Sequence, residues 1–259
     1  MFTVQPVRAF EDNYIWLLHN GHHAAAVDPG EAAPVLAALD QCGLQLSAIL
    51  VTHRHGDHVG GIPELLDRFP VAVFGPAHEH IAGITHPVGE SDMIELPDLA
   101  ISLKVLDVPG HTAGHVAYYG GNSLFCGDTL FACGCGRIFE GTPQQMYASL
   151  QKFALLPDNT AVYCAHEYTL SNIRFAKAVE PGNPALLQRE ARDQATVAAG
   201  RPTVPSTMGL EKQTNPFLRC DVPDAVQSAS RHAGKRLSNP VDVFAALRQC
   251  SIRRRPGHR

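Results

Sequence analysis

The sequence predicts an α+β fold in which a mixed body of strands and helices over residues 1–167 is followed by a helical part over residues 168–259. Three observations carry this. Short apolar runs closed by Gly, Pro or Asp recur through the first two-thirds, which is the pattern of buried strands. Helix-period patterns replace them after Leu170. The charge divides at the same place: within a net charge of −4, residues 1–167 hold 6 Lys and Arg against 18 Asp and Glu, formally −12, and residues 168–259 hold 15 against 7, formally +8. At about 150 residues per domain, 259 residues suit one large domain and a smaller one.

The elements follow in order. Ile15 to Leu18 and Ala24 to Val27 are short strands, and Asp28-Pro29-Gly30 turns the second into a helix with Val35, Leu36, Leu39 and Cys42 on one face and Gly43 at its end. Leu46 to Thr52 is a buried strand that runs straight into His53-Arg54-His55-Gly56-Asp57-His58. A Gly60-Gly61 turn, a helix from Pro63 to Phe69 and a strand from Val71 to Phe74 come next. Met93 to Val108 is strand-like and stops at Pro109-Gly110-His111. Val116 to Tyr119 and Ser123 to Cys126 form a hairpin across Gly120-Gly121-Asn122, leading into Gly127-Asp128. Ala161 to Cys164 delivers Ala165-His166. Helices are then expected over Leu170 to Val179, Ala185 to Ala199 and Val241 to Gln249, with a Pro/Thr-rich connection from Arg201 to Pro216. The alternation suits two sheets with helices outside.

Apolar runs fall far short of the roughly 18 residues that span a bilayer, so no membrane partner is expected. Residues 1–13 lack a basic segment followed by an apolar one, which predicts a cytoplasmic protein with its seven Cys reduced. The Arg and Lys of the basic third are dispersed rather than gathered beside aromatic residues, so no nucleic-acid partner is expected. There is no G-x-S-x-G elbow and no G-x-x-x-x-G-K-[ST] loop, which leaves acyl-serine and nucleotide chemistry without a candidate.

Four strands end in residues of metal-ligand type: the His53 cluster, His111, Asp128 and His166. Imidazole and carboxylate suit zinc, iron and manganese. In extended backbone His53 and His55 point the same way, and Gly56 allows a turn that redirects Asp57 and His58. Seven donors exceed the four of a structural zinc. Two ions can use them if His53, His55 and His111 bind the first, Asp57, His58 and His166 the second, and Asp128 bridges. A water shared by two such cations would ionise near neutral pH, so a hydrolase is expected. His115, four residues past His111, has no place among the donors and is read as a packing or supporting residue.

Thr52-His53-Arg54-His55-Gly56-Asp57-His58, with Asp28-Pro29-Gly30 before it and Gly110-His111-Thr112-Ala113-Gly114-His115 and Gly127-Asp128-Thr129 after it, resembles the metallo-β-lactamase superfamily. The resemblance implies an αββα sandwich with the site at one edge, followed here by a C-terminal helical domain. Phe131 to Arg137, Glu140-Gly141-Thr142, His166-Glu167-Tyr168-Thr169 with Asn172, and Asn215-Pro216-Phe217-Leu218-Arg219 resemble the hydroxyacylglutathione hydrolase (glyoxalase II) family within it. That implies two divalent ions, zinc foremost with iron or manganese as alternatives, and hydrolysis of S-(2-hydroxyacyl)glutathione by a monomer. Asp57 and Asp128 then act in catalysis, Asp57 orienting the attacking water.

By position the resemblance assigns glutathione binding to Arg137, Phe139, Tyr168 and Arg248. Arg137 stands where Lys is common and adds a carboxylate-matching fork. Phe139 stands where Tyr is frequent and lacks its hydroxyl. A basic residue usual after Arg248 falls near Ser251, with Arg253 or Arg254 as substitutes. A persulfide dioxygenase or a nuclease of the same superfamily is the alternative; the long helical third and the Asn-Pro-Phe-Leu-Arg segment favour the hydrolase.

Overall fold

The computed structural model describes residues 2–253, with side chains to residue 251. The first sheet contains β1 (Thr3–Ala9), β2 (Asn13–His19), β3 (His23–Val27), β4 (Gln45–Leu50), β5 (Ala72–Pro76) and β6 (His86–Val88), side by side in that order. β1, β2 and β3 pair antiparallel and β3 to β6 pair parallel. Parallel pairing needs crossovers, which α1 (Ala32–Cys42) supplies before β4 and α2 (Gly56–Val59) with α3 (Ile62–Arg68) before β5. Gly43 ends α1 in the left-handed region at φ 64°, as its position after the apolar stripe predicts.

The second sheet runs in the order β14-β13-β10-β9-β8-β7, from β7 (Met93–Leu96), β8 (Ile101–Asp107), β9 (Val116–Gly120), β10 (Ser123–Gly127), β13 (Ala161–Cys164) and β14 (Ser206–Thr207). β11 (Leu130–Phe131) and β12 (Gly134–Cys135) form a separate small hairpin. The expected strand from Met93 to Val108 is two strands, because Pro97 opens a 3-10 turn and Ala100 reverses the chain at φ 52°.

Period-two alternation places the two cores. In β2, Trp16 and Leu18 face the second sheet, where they join Leu103, Val105, Tyr118 and Phe125. Ile15 and Leu17 point the other way, onto Val35 and Leu39 of α1 and Leu65 of α3. Met146, Leu150 and Phe153 of α4 (Pro143–Ala154) join the core of the second sheet. The chain is thus an αββα sandwich. The helix over 143–154 is not among the expected elements, although Thr142 and Gln145 make a reciprocal capping box there.

The helical part comprises α5 (Thr169–Val179), α6 (Pro184–Ala198), α7 (Met208–Thr214), α8 (Pro223–Ala233) and α9 (Pro240–Arg253). The expected irregular connection over 201–216 contains β14, which pairs antiparallel with β13, and α7. Phe217 and Phe244 share the core of the second sheet. A buried ion group ties the helices to the small hairpin. Arg189 Nη2 lies 2.7 Å from Glu211 Oε1, while Glu211 Oε2 accepts from Cys133 N at 2.8 Å, so the charge of each is met inside the protein. Asn215 Nδ2 donates to Gly134 O at 2.9 Å and Asn172 Nδ2 to Ala132 O at 3.0 Å. Among the described residues, no helix is long and apolar enough to cross a membrane.

Candidate metal centre

Polar clusters at the ends of β4, β10 and β13 and in the loop between β8 and β9 converge on one edge of the sandwich. Asp28, following β3, organises the first: its Oδ1 accepts from Thr52 N at 2.7 Å and its Oδ2 from Thr52 Oγ1 at 2.8 Å. A short polar side chain tolerates the φ of 53° that Asp28 adopts. Gly127 closes β10 at φ 48°, and a Cβ there would lie 2.3 Å from Thr52 Oγ1, so only glycine lets β10 carry Asp128 this near β4.

His53 Nε2 lies 3.0 Å from His55 Nδ1, which lies 3.0 Å from His111 Nε2. Nitrogens bound tetrahedrally to one zinc stand about 3.3 Å apart, so this spacing fits a shared cation. Asp57 Oδ2 lies 3.5 Å from both His58 Nε2 and His166 Nε2. Asp128 stands between the groups, with Oδ2 3.3 Å from His111 Nε2 and Oδ1 3.3 Å from His166 Nε2 and 3.5 Å from His58 Nε2. Donor atoms lie within 4.8 Å of one another in the sets His53, His55, His111; His53, His58, Asp128; and Asp57, His58, His166.

The far side of each ring fixes its tautomer. His111 Nδ1 donates to Arg137 O at 2.8 Å, His166 Nδ1 to Asp12 Oδ1 at 2.8 Å and His53 Nδ1 to Thr52 Oγ1 at 3.1 Å; His58 Nδ1 lies 3.1 Å from Asp28 Oδ2. All four therefore turn Nε2 to the centre, the outer support that metal-binding histidines require. Asn13 Nδ2 donates to Asp57 Oδ2 at 2.9 Å. His115 accepts from Asp128 N at 3.1 Å and stacks on His53 at 4.6 Å, so it supports donors without being one.

The electrostatics match a cation site. Burial pushes His53 well below the usual imidazole range and lowers His55 and His111, leaving them neutral as ligation requires. Burial also opposes a charge on His166, but Asp128 and Asp12 outweigh it and push its pKa up to about 10. Burial opposes the charge of Asp128, yet His166 and His58 hold it well below the carboxylate range. His58 Nε2 and Asp128 Oδ1 are buried without a hydrogen-bond partner among the described residues, a costly arrangement that a cation between them would relieve.

The centre floors a cavity of about 280 Å³. His55, Asp57, His111, Asp128 and His166 form the floor; Phe131, Cys135, Arg137, Phe139 and Tyr168 form the walls. The Tyr168 ring stacks on His166 at 4.9 Å and 3°, and Phe139 meets His111 edge-on at 5.2 Å. Arg248 is not among the lining residues: it is buried in α9, donates to Ser251 Oγ and lies 5.9 Å from the Phe217 ring. The side chain of Arg253, and Arg254, lie outside the described residues. Phe131 and Cys135 belong to the Phe131–Arg137 motif, which carries the resemblance without giving either a role in the cavity. Asp12 and Asn13 are singled out by no motif, and their local signal is a polar pair at the mouth of a strand.

Residues 9–166 match the family model of the metallo-beta-lactamase superfamily, and residues 167–251 match that of the hydroxyacylglutathione hydrolase C-terminus. The chain is 58% identical over 248 residues to the hydroxyacylglutathione hydrolase of Nitrosomonas eutropha, covering 96% of this chain and 97% of that one. Among solved structures, it is similar to ETHE1 from Myxococcus xanthus, at a TM-score of 0.64 and 23% identity, covering 97% of this chain and 99% of that one. It is also similar to TTHA1623 in a di-iron-bound form, at 0.59 and 26%, covering 83% and 100%. With the sandwich and the helical part both matched, and a relative of this identity aligned from end to end, the chain belongs to the hydroxyacylglutathione hydrolase family of the metallo-β-lactamase superfamily.

Proposed function

We propose that this protein hydrolyses S-(2-hydroxyacyl)glutathione, S-D-lactoylglutathione foremost, to glutathione and a 2-hydroxy carboxylate, the second step of methylglyoxal detoxification. The observation that carries the reading is Asp128, whose two carboxylate oxygens face two separate donor groups. His53, His55 and His111 would hold one divalent cation, Asp57, His58 and His166 a second, and Asp128 both. Zinc is the expected ion; iron and manganese suit the same donors, and the related TTHA1623 has a di-iron form. When bound, such ions polarise a carbonyl and make water nucleophilic near neutral pH.

The chain's own groups do the rest. Asp57 is the donor carboxylate most open to the cavity, with 38% of its side chain exposed. Burial opposes its charge, but His58 and the Asn13 amide outweigh it and lower its pKa from the ordinary aspartate value, so it is anionic and able to accept a hydrogen bond from the attacking water. Arg137 offers a fork for a glutathione carboxylate, and Phe139 and Tyr168 flank the path from solvent to the floor. A thiolate departs readily, so no dedicated acid is required. Arg248 of α9 is the second basic residue for the glutathione carboxylates. Residues 1–167 form the catalytic domain and residues 168–259 the helical substrate-binding domain of a cytoplasmic monomer.

The reading is tested by thioester hydrolysis on metal-quantified protein, comparing S-D-lactoylglutathione with a lactoyl thioester of a neutral thiol. Turnover of the first with much lower kcat/KM for the second is expected. No hydrolysis of either by protein carrying two ions per chain would overturn it.

A further inference from the structure

Asp28 serves both donor groups, holding Thr52 beside His53 and facing His58, but the other supports of the two groups differ. Asp12 holds His166, Asn13 holds Asp57 and Asp28 faces His58. The loops that carry His55 and His111 are joined instead by Glu79, in the loop between β5 and β6 and outside the donor set. Glu79 Oε2 accepts from the backbone N of Arg54, between His53 and His55, at 2.6 Å. Its Oε1 accepts from the Thr112 hydroxyl, next to His111, and from Gly114 N at 3.2 Å. A Cβ on Gly114 would stand 2.6 Å from Glu79 Cγ, so this approach depends on glycine. Glu140 adds a parallel link, accepting from the Arg54 guanidinium and from Ala113 N at 2.9 Å.

We infer that Glu79 is a positioning residue for one ion only: its carboxylate cross-links the His53–His55 and His111–Gly114 segments and so sets the spacing of the His53, His55, His111 donors. The inference rests on the two-ion reading. A carboxylate accepts from all these groups at once, and a charged acceptor strengthens each bond. In Glu79→Gln, whichever way the amide turns, a backbone N–H meets an NH₂ group and the link opens. Loss of an outer partner weakens metal affinity by about 10- to 100-fold. Here that loss falls on one ion, because the Asp57, His58, His166 group has its own partners.

The test uses ion-free full-length protein in equilibrium dialysis against chelator-buffered Zn²⁺, counting ions per chain. The parent is expected to bind two. Glu79→Gln should bind one with parental affinity and the other 10- to 100-fold more weakly. Asp12→Asn should weaken one ion as well, and the double variant both. Parental binding of two ions by Glu79→Gln, equal weakening of both, or a double variant that keeps one tight ion would overturn the assignment. A parent that binds fewer than two ions would instead overturn the two-ion reading beneath it. If Glu79→Gln fails to fold, Thr112→Val, which removes one buried donor to the same carboxylate, is read by the same criteria, with a smaller effect expected.

Discussion

Asp128→Asn keeps the shape of the residue at the centre of the site and removes its charge. In the structure Asp128 Oδ2 is 3.3 Å from His111 Nε2, while Oδ1 is 3.3 Å from His166 Nε2 and 3.5 Å from His58 Nε2. An asparagine must turn its NH₂ toward one group and its carbonyl toward the other, so one cation gains a hydrogen-bond donor where it had an anion and the second loses charge. Losing even an outer partner costs about 10- to 100-fold in affinity or activity, and Asp128 faces both groups, so the two losses compound to about 10²- to 10⁴-fold. Burial and the intact His115 contact to the Asp128 backbone N argue that the fold survives. The assay is kcat/KM for S-D-lactoylglutathione beside ions per chain. A variant within threefold of the parent and still carrying two ions would mean that Asp128 does not join the two donor groups.

Other consequences are open to the same kind of check. Arg137→Ala should raise KM for S-D-lactoylglutathione about tenfold or more, the scale of a charged hydrogen bond, with kcat little changed; an unchanged KM would remove Arg137 from the cavity's binding groups. Glu211→Leu takes the nearer of two carboxylates from the fully buried Arg189 and leaves it Asp193 at 3.4 Å, a loss of about 1.5–3 kcal/mol that should lower Tm by about 3–12 °C in calorimetry, with Arg189→Met in the same chain recovering part of it. In chelator-treated protein, His166 has a pKa pushed up to about 10 against an unfolded value of about 6.5. Its protonated form therefore contributes stability fully below about pH 6.5, and the contribution is lost as pH rises through about 10. Tm measured against pH should show this fall in the ion-free protein and not in the ion-loaded one, where the nitrogen is committed to a cation.

What was legible in the sequence follows the range of the interactions. His53 to His58 are six consecutive residues holding four donors, so that cluster can be read locally; Asp128 and His166 betray themselves by following strands closely, and His111 by the Pro109-Gly110 stop before it. The partners of those donors cannot be read this way. Asp12 reaches His166 across 154 positions and Glu79 reaches Thr112 across 33, and only the packing of two sheets brings them together. β1 escapes notice because it is an edge strand that contains Pro6 and buries only Val7 and Ala9. The helix at 143–154 buries just Met146, Ser149, Leu150 and Phe153, too few apolar positions to stand out as a stripe. Arg248, assigned to substrate by resemblance, is buried in α9 beside Phe217 and Ser251, contacts that no spacing in the sequence could foretell.

The central claim, that two ions held by seven side chains run the hydrolysis of a glutathione thioester, is tested most directly by titrating ion-free protein with Zn²⁺ while following S-D-lactoylglutathione cleavage. Activity should climb until two ions per chain are bound and then level, with one thiol released per carboxylate formed. Full activity at one ion per chain, or in the presence of excess chelator, would contradict it.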